Sequence, residues 1–147
     1  MKAKDIMTKE VITIKENDTV EEVIKIITDN GISGVPVINN NNEVVGIVSE
    51  SDLIYRDKEL GMPAFVSLLG GYIFLESIKK YENKLKKKVA YKVKDLMTTN
   101  VITCHEEDDV KEVANTMINK KVNRVPIVND NNKLAGIISR LDIVKTL

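Results

Sequence analysis

One segment of about 50 residues occurs twice in this chain, at a constant offset and without a gap. Residues 4–54 align on residues 94–144, and 21 of the 51 aligned positions are identical. The matched pairs include Asp5/Asp95, Met7/Met97, Thr8/Thr98, Thr13/Thr103, Pro36/Pro126, Gly46/Gly136, Ser49/Ser139 and Asp52/Asp142. A fixed-period self-match marks a repeat architecture, in which a single unit cannot bury its apolar face alone. Each copy is near the size at which a core becomes marginal, so the two copies are expected to pack together and share one core. Polar residues that recur in both copies mark either two equivalent helix caps or two equivalent ligand sites.

Each copy reads as strand, helix, strand, turn, strand and short helix. Residues 11–14 and 101–104 are β-branched runs that predict first strands. Thr19 and Glu22, like Asp109 and Glu112, have the spacing of a capping box, which opens a helix. Val20, Val23, Ile24 and Ile27 then recur at helical spacing, as do Val110, Val113, Ala114 and Met117. Residues 35–38 and 125–128 supply the next strands. Asn-rich turns at 39–42 and 129–132 follow, because Asn and Asp tolerate left-handed backbone. Residues 44–48 and 134–138 return as hairpin strands, and 49–54 and 139–144 open short helices. The strand–helix–strand crossover implies a parallel, right-handed connection. The hairpin adds an antiparallel strand. The predicted class is α+β, with two βαββα repeats packed sheet to sheet. The expected divisions are 1–56 for the first repeat, 57–91 for an insertion and 92–147 for the second repeat. Within the insertion, residues 72–88 read as one amphipathic helix, with Phe74, Ile78, Tyr81 and Leu85 on one face and lysines on the other.

Composition removes several function classes. The formal net charge is zero, so no global charge drives the chain toward nucleic acid or anionic membrane. The lysines of 79–94 read as a solvated face, diluted by Glu76 and Glu82 and without a stacking platform for bases. Two alternative readings stay open: a nucleic-acid-associated protein that uses these lysines, or a structural interaction module that works through the 72–88 helix. The first residues hold neither an apolar run nor a small-residue cleavage site, so no secretory leader is expected. No stretch approaches a membrane span. The single cysteine, Cys104, excludes an internal disulfide and fits a reducing cytoplasm. His105 is the lone histidine, which leaves a zinc site without ligands. Neighbouring residues on a strand point to opposite faces, so Cys104 and His105 cannot act as a nucleophile–base pair. No catalytic residue and no metal site is expected, and the chain is read as a non-enzyme.

The strongest local pattern is Gly46-Ile-Val-Ser49-Glu-Ser-Asp52, which recurs as Gly136-Ile-Ile-Ser139-Arg-Leu-Asp142. A strand ends at Ser, and Asp follows three residues later in the first turn of a helix. Two readings fit. In one, Ser and Asp simply cap the helix. In the other, helix N–H groups and the Ser hydroxyl meet a phosphate, while the Asp carboxylate accepts the two hydroxyls of a ribose.

Together with Asp5-Ile-Met7-Thr8 and Val35-Pro36-Val37, all doubled, this pattern resembles a tandem pair of CBS domains, the module named for cystathionine β-synthase. The resemblance covers the chain outside the insertion. It implies a disc-like module with two clefts for adenosine ligands: AMP, ADP, ATP, S-adenosylmethionine or methylthioadenosine. It further implies a first site in which Asp52 holds the ribose and Ser49 a phosphate. Ile14, Ile32, Val35, Pro36 and Ile47 would wall the adenine there, with Thr13 or Ser33 bonding its edge. The implied second site has Asp142, Ser139 and Thr103 in the same roles. Val122, Val125, Pro126 and Ile137 would form its wall. Thr8 and Thr98 are expected near the phosphate end of their own repeats. Asn123-Arg124 stands in the loop where relatives place a basic residue, so Arg124 is either a phosphate contact or a surface residue. By the same resemblance the module is expected to pair as a homodimer and to regulate a partner protein.

Overall fold

The computed structural model describes residues 1–54 and 91–147. The helix expected over 72–88, with its lysines, lies outside them.

Elements begin where the sequence supplies local partners for free backbone groups. Helix α1 (Ala3–Ile6) is one turn, closed by the Asp5 carboxylate, which accepts from the Lys2 N–H at 2.7 Å. Helix α2 (Val20–Asn30) starts at Thr19. The Thr19 hydroxyl accepts from the Glu22 N–H at 3.2 Å, and the Glu22 carboxylate accepts from the Thr19 N–H at 2.9 Å. Gly31, left-handed at φ 59°, ends it. Strands β1 (Gly34–Ile38) and β2 (Val44–Ser49) form a two-stranded sheet, and residues 50–54 are helical. Past residue 90, a 3₁₀ turn (Val93–Asp95) is closed by Asp95 as α1 is by Asp5. Strand β3 (Cys104–His105) and helix α3 (Val110–Lys120) follow, then β4 (Arg124–Val128), β5 (Leu134–Ser139) and helix α4 (Arg140–Val144). β3 lies parallel to β4, and β4 antiparallel to β5. The expected crossover and hairpin are therefore present in the second repeat. Both hairpins turn through Asn39–Glu43 and Asn129–Lys133 pairs. The Asn39 and Asn129 side chains accept backbone N–H groups, and Asn42 and Asn132 take φ 60°.

The first strands are shorter than the β-branched runs predict. Of residues 101–104 only Cys104 enters β3, and of 11–14 only Ile14 makes a bridge. The reason is local: Val11 and Val101 donate to Lys9 and Thr99, two residues back, so these amides fold into tight turns and leave the ladder.

Two compact units emerge, and neither coincides with a sequence repeat. One comprises residues 1–13, 36–46 and 99–147; the other comprises 14–35 and 47–98. In the first, the opening segment of repeat 1 docks on the body of repeat 2. The Ala3 and Lys4 N–H groups donate to the Asp108 and Glu106 carbonyls at 2.8 and 3.1 Å, and Thr8 pairs with Ile137. Ala3 is wholly buried in a cluster with Cys104, Val113, Met117, Val125, Ile127 and Ile138. In the other unit, residues 92–98 dock in the same way on repeat 1. Val93 and Lys94 donate to Asp18 and Glu16, and Thr98 pairs with Ile47. Each repeat thus has the other's opening segment as its edge partner.

The helices bury the predicted stripe. Val20, Val23, Ile24 and Ile27 are buried, as are Val110, Val113 and Met117, while Ala114 is half-buried. Burying several aliphatic side chains at about 1.5–3 kcal/mol each outweighs the few tenths that β-branched residues cost in a helix.

Candidate functional site

β5 alternates as a half-buried strand should. Gly136 and Ile138 face inward, and Ile137 and Ser139 are partly open. Gly136 is required by contact rather than by φ, because a Cβ there would lie 2.5 Å from the Met7 Sδ and 2.7 Å from its Cγ. This accounts for the doubled Met and Gly of the sequence on this side.

Ser139 leaves the strand extended and caps α4, accepting from the Asp142 N–H at 3.4 Å. Asp142 Oδ2 in turn accepts the Ser139 N–H at 2.8 Å and the Ser139 hydroxyl at 2.7 Å. The first repeat repeats the figure. Asp52 Oδ2 accepts the Ser49 N–H at 2.9 Å and its hydroxyl at 3.1 Å, and Ser49 accepts from the Asp52 N–H at 3.4 Å. The caps are real, yet they use one carboxylate oxygen only. The other, Oδ1, is left for a further donor in a half-buried position.

Three expectations change here. The first concerns the donors assigned to a phosphate. The first helical N–H in each copy, Glu50 and Arg140, donates to the Ser33 and Asn123 carbonyls at 3.0 and 3.1 Å. The third donates to Ser49 or Ser139, whose own hydroxyls are given to Asp52 and Asp142. The donors expected to meet a phosphate are therefore largely engaged.

The second concerns the threonines. Thr98 joins the first repeat's site: its hydroxyl donates to Asp52 Oδ1 at 3.0 Å, while its backbone pairs with Ile47. Thr8 correspondingly pairs with Ile137 beside the second repeat's motif. Each threonine thus belongs to the opposite repeat from the one expected, because the opening segments are exchanged. Sequence identity at Thr8/Thr98 flagged both residues, but a self-match cannot say which copy a segment docks on.

The third concerns the walls. Val35, Pro36 and Val125 are sealed in the core, with Ile14 and Pro126 also buried. These five side chains have almost no accessible surface with which to meet a ligand, contrary to the wall role expected of them. Ile32, Ile47, Val122 and Ile137, by contrast, are half-buried and keep some apolar surface. Ser33 and Thr13 are half-buried, and Thr103 and Asn123 are exposed. Thr13 and Pro36 group with the compact unit that does not hold Asp52. Arg124 is half-buried on β4, in register with Ser139 of β5.

Cys104 is buried in the core and has its thiol pKa raised, chiefly by that burial and then by the nearby Asp108 carboxylate. Among the described residues no group of three or more His, Cys, Asp or Glu is placed to hold a metal ion. None of the described helices is long and apolar enough to cross a membrane.

The chain's two repeats have counterparts in known proteins. The chain belongs to the CBS domain family, whose model matches residues 3–59 and 93–147. It is 32% identical to an uncharacterized protein of Methanocaldococcus jannaschii, over 100% of this chain and 91% of that one. It is 34% identical to the inosine-5′-monophosphate dehydrogenase of the same organism, but there 98% of the chain spans only 23% of the enzyme. Among solved structures it resembles the CBS domain pair of protein MJ0100 in complex with 5′-methylthioadenosine and S-adenosyl-L-methionine, with a TM-score of 0.73 and 25% identity, covering 99% of this chain and 94% of that one.

Proposed function

We propose that this chain is a regulatory module rather than an enzyme, and that it binds adenosine-type small molecules at its two Ser–Asp motifs. The observation that carries this reading is the carboxylate geometry. In both copies Ser fixes Oδ2 of the Asp from two directions, and Oδ1 lies outside the cap, where at Asp52 it accepts a hydroxyl, that of Thr98. An ionised carboxylate is purely an acceptor, which suits the two hydroxyls of a ribose. The half-buried aliphatics suit an apolar purine face. Because the helix N–H and Ser hydroxyl donors are engaged, phosphate-poor ligands fit better than AMP, ADP or ATP. Methylthioadenosine and S-adenosylmethionine are our first choices, and the MJ0100 complex supports them. Arg124, in register with Ser139, is the side chain we assign to any phosphate that does bind.

The module works by population shift. Ligand stabilises one conformation, and a second copy of the chain or a partner protein in the cytoplasm reads it. A ligand that binds only the folded chain raises the melting temperature in proportion to the logarithm of its concentration. Methylthioadenosine at about 100 times its Kd should add about 2.7 kcal/mol of stability for each site it fills. The double variant Asp52→Asn, Asp142→Asn should lose that shift while melting near the wild type without ligand. An undiminished shift in the double variant refutes the assignment. Sedimentation of the liganded chain as a dimer is expected; a monomer throughout removes the second copy from the scheme.

A further inference from the structure

The two motifs are alike in sequence, but their carboxylates are not equally available. Asp52 Oδ1 already accepts the Thr98 hydroxyl at 3.0 Å. Asp142 Oδ1 has no such donor among the described residues, although Thr8 stands beside Ile137 as Thr98 stands beside Ile47. We infer that Thr98 is a positioning residue that occupies Asp52 and makes the two sites unequal, so that the Asp142 site fills first. This rests on the adenosine reading above and concerns the order of filling, which that reading leaves open.

A carboxylate offers about four lone-pair sites, two on each oxygen. At both aspartates the Oδ2 pair is taken by the Ser N–H and hydroxyl. A vicinal diol needs two acceptor sites, and at Asp142 no donor among the described residues takes either site of Oδ1. At Asp52 one of the two is held by Thr98. The diol must therefore displace the threonine hydroxyl or leave one of its own hydroxyls unpaired. Hydrogen bonds to charged groups are the stronger kind, so the difference should be on the order of tenfold in Kd. The bond reaches Asp52 from a distant part of the chain, and the backbone bonds of Thr98 hold its hydroxyl in place: its N–H donates to the Ile47 carbonyl at 2.9 Å and its carbonyl accepts from the Ile47 N–H at 3.0 Å. Removing the hydroxyl leaves those bonds intact.

Titration calorimetry of the full chain with 5′-methylthioadenosine tests this. Asp52→Asn isolates the second site and Asp142→Asn the first. The second site should bind on the order of tenfold more tightly than the first. Adding Thr98→Val to Asp142→Asn should tighten the first site by about the same factor, whereas Thr98→Ser, which keeps the hydroxyl, should leave it unchanged. Thr98→Ala serves in place of valine should the latter melt early, and is expected to act in the same direction. Equal affinities at the two sites, tighter binding at the first, or weaker binding after Thr98→Val would overturn the inference while leaving the adenosine reading standing. Absence of binding to the wild type and to both single-site variants would overturn both.

Discussion

The same backbone position is occupied by different residues in the two copies, which makes a controlled comparison. Gly31 and Lys121 both end a helix in the left-handed region, at φ 59° and 55°. Only glycine adopts that region without a steric cost, and other residues lose about 1–2 kcal/mol there. Lys121→Gly should therefore stabilise the chain by about 0.5–1 kcal/mol once the entropy of glycine is subtracted. Gly31→Ala should destabilise it by about 1 kcal/mol, and through backbone strain alone, because nothing lies within 4 Å of the added methyl. Urea unfolding of both variants checks the opposite signs. Cys104 gives a pH signature. Its thiol pKa is held above the ordinary 9.0 by burial. As pH rises past that value the unfolded chain's thiol ionises first, which favours unfolding. The stabilisation is whole below the ordinary thiol range and is lost as pH climbs toward the folded-state value. The melting temperature should decline through this alkaline window, and Cys104→Ala should flatten the decline.

At the scale of elements, the decisive contact is the docking of the opening segment on β5. The Met7 side chain lies across Gly136, and Thr8 pairs with Ile137. Gly136→Ala forces Met7 aside, and overpacking of this kind costs about 1–3 kcal/mol. Met7→Ala in the same chain should recover part of that loss, giving a favourable coupling in a double-mutant cycle. Purely additive losses would place the segment elsewhere. These contacts also mark the limit of what the sequence discloses. The helices, hairpins and caps were legible because each rests on neighbours within four residues, as at Thr19/Glu22 and Asn39/Glu43. The Ser–Asp figure was legible for the same reason. The shortened first strands were not, since β-branched composition at 11–14 and 101–104 gives no sign of the two-residue turns at Val11 and Val101. The exchange of opening segments was not legible either. Residues 4–8 and 94–98 are nearly identical, so the pattern alone suits docking on either copy.

At the scale of the molecule, duplication produces two motifs with the same acids and hydroxyls in different surroundings. Thr98 bonds Asp52, while among the described residues no side chain bonds the second oxygen of Asp142. The start of the central strand differs too, with Gly34 in one copy and Arg124 at the matching place in the other. On the proposed order of filling, a duplicated chain would retain one fold and acquire two affinities, widening the concentration range over which a single ligand is sensed. All of this depends on the aspartates accepting the sugar hydroxyls. The most direct measurement compares the binding of methylthioadenosine with that of its 2′-deoxy counterpart by calorimetry. Losing one hydroxyl bond to a charged group should weaken binding by roughly ten- to a hundredfold, and the Asp52→Asn, Asp142→Asn chain should bind neither compound. Equal affinity for both compounds in the wild-type chain would contradict the account.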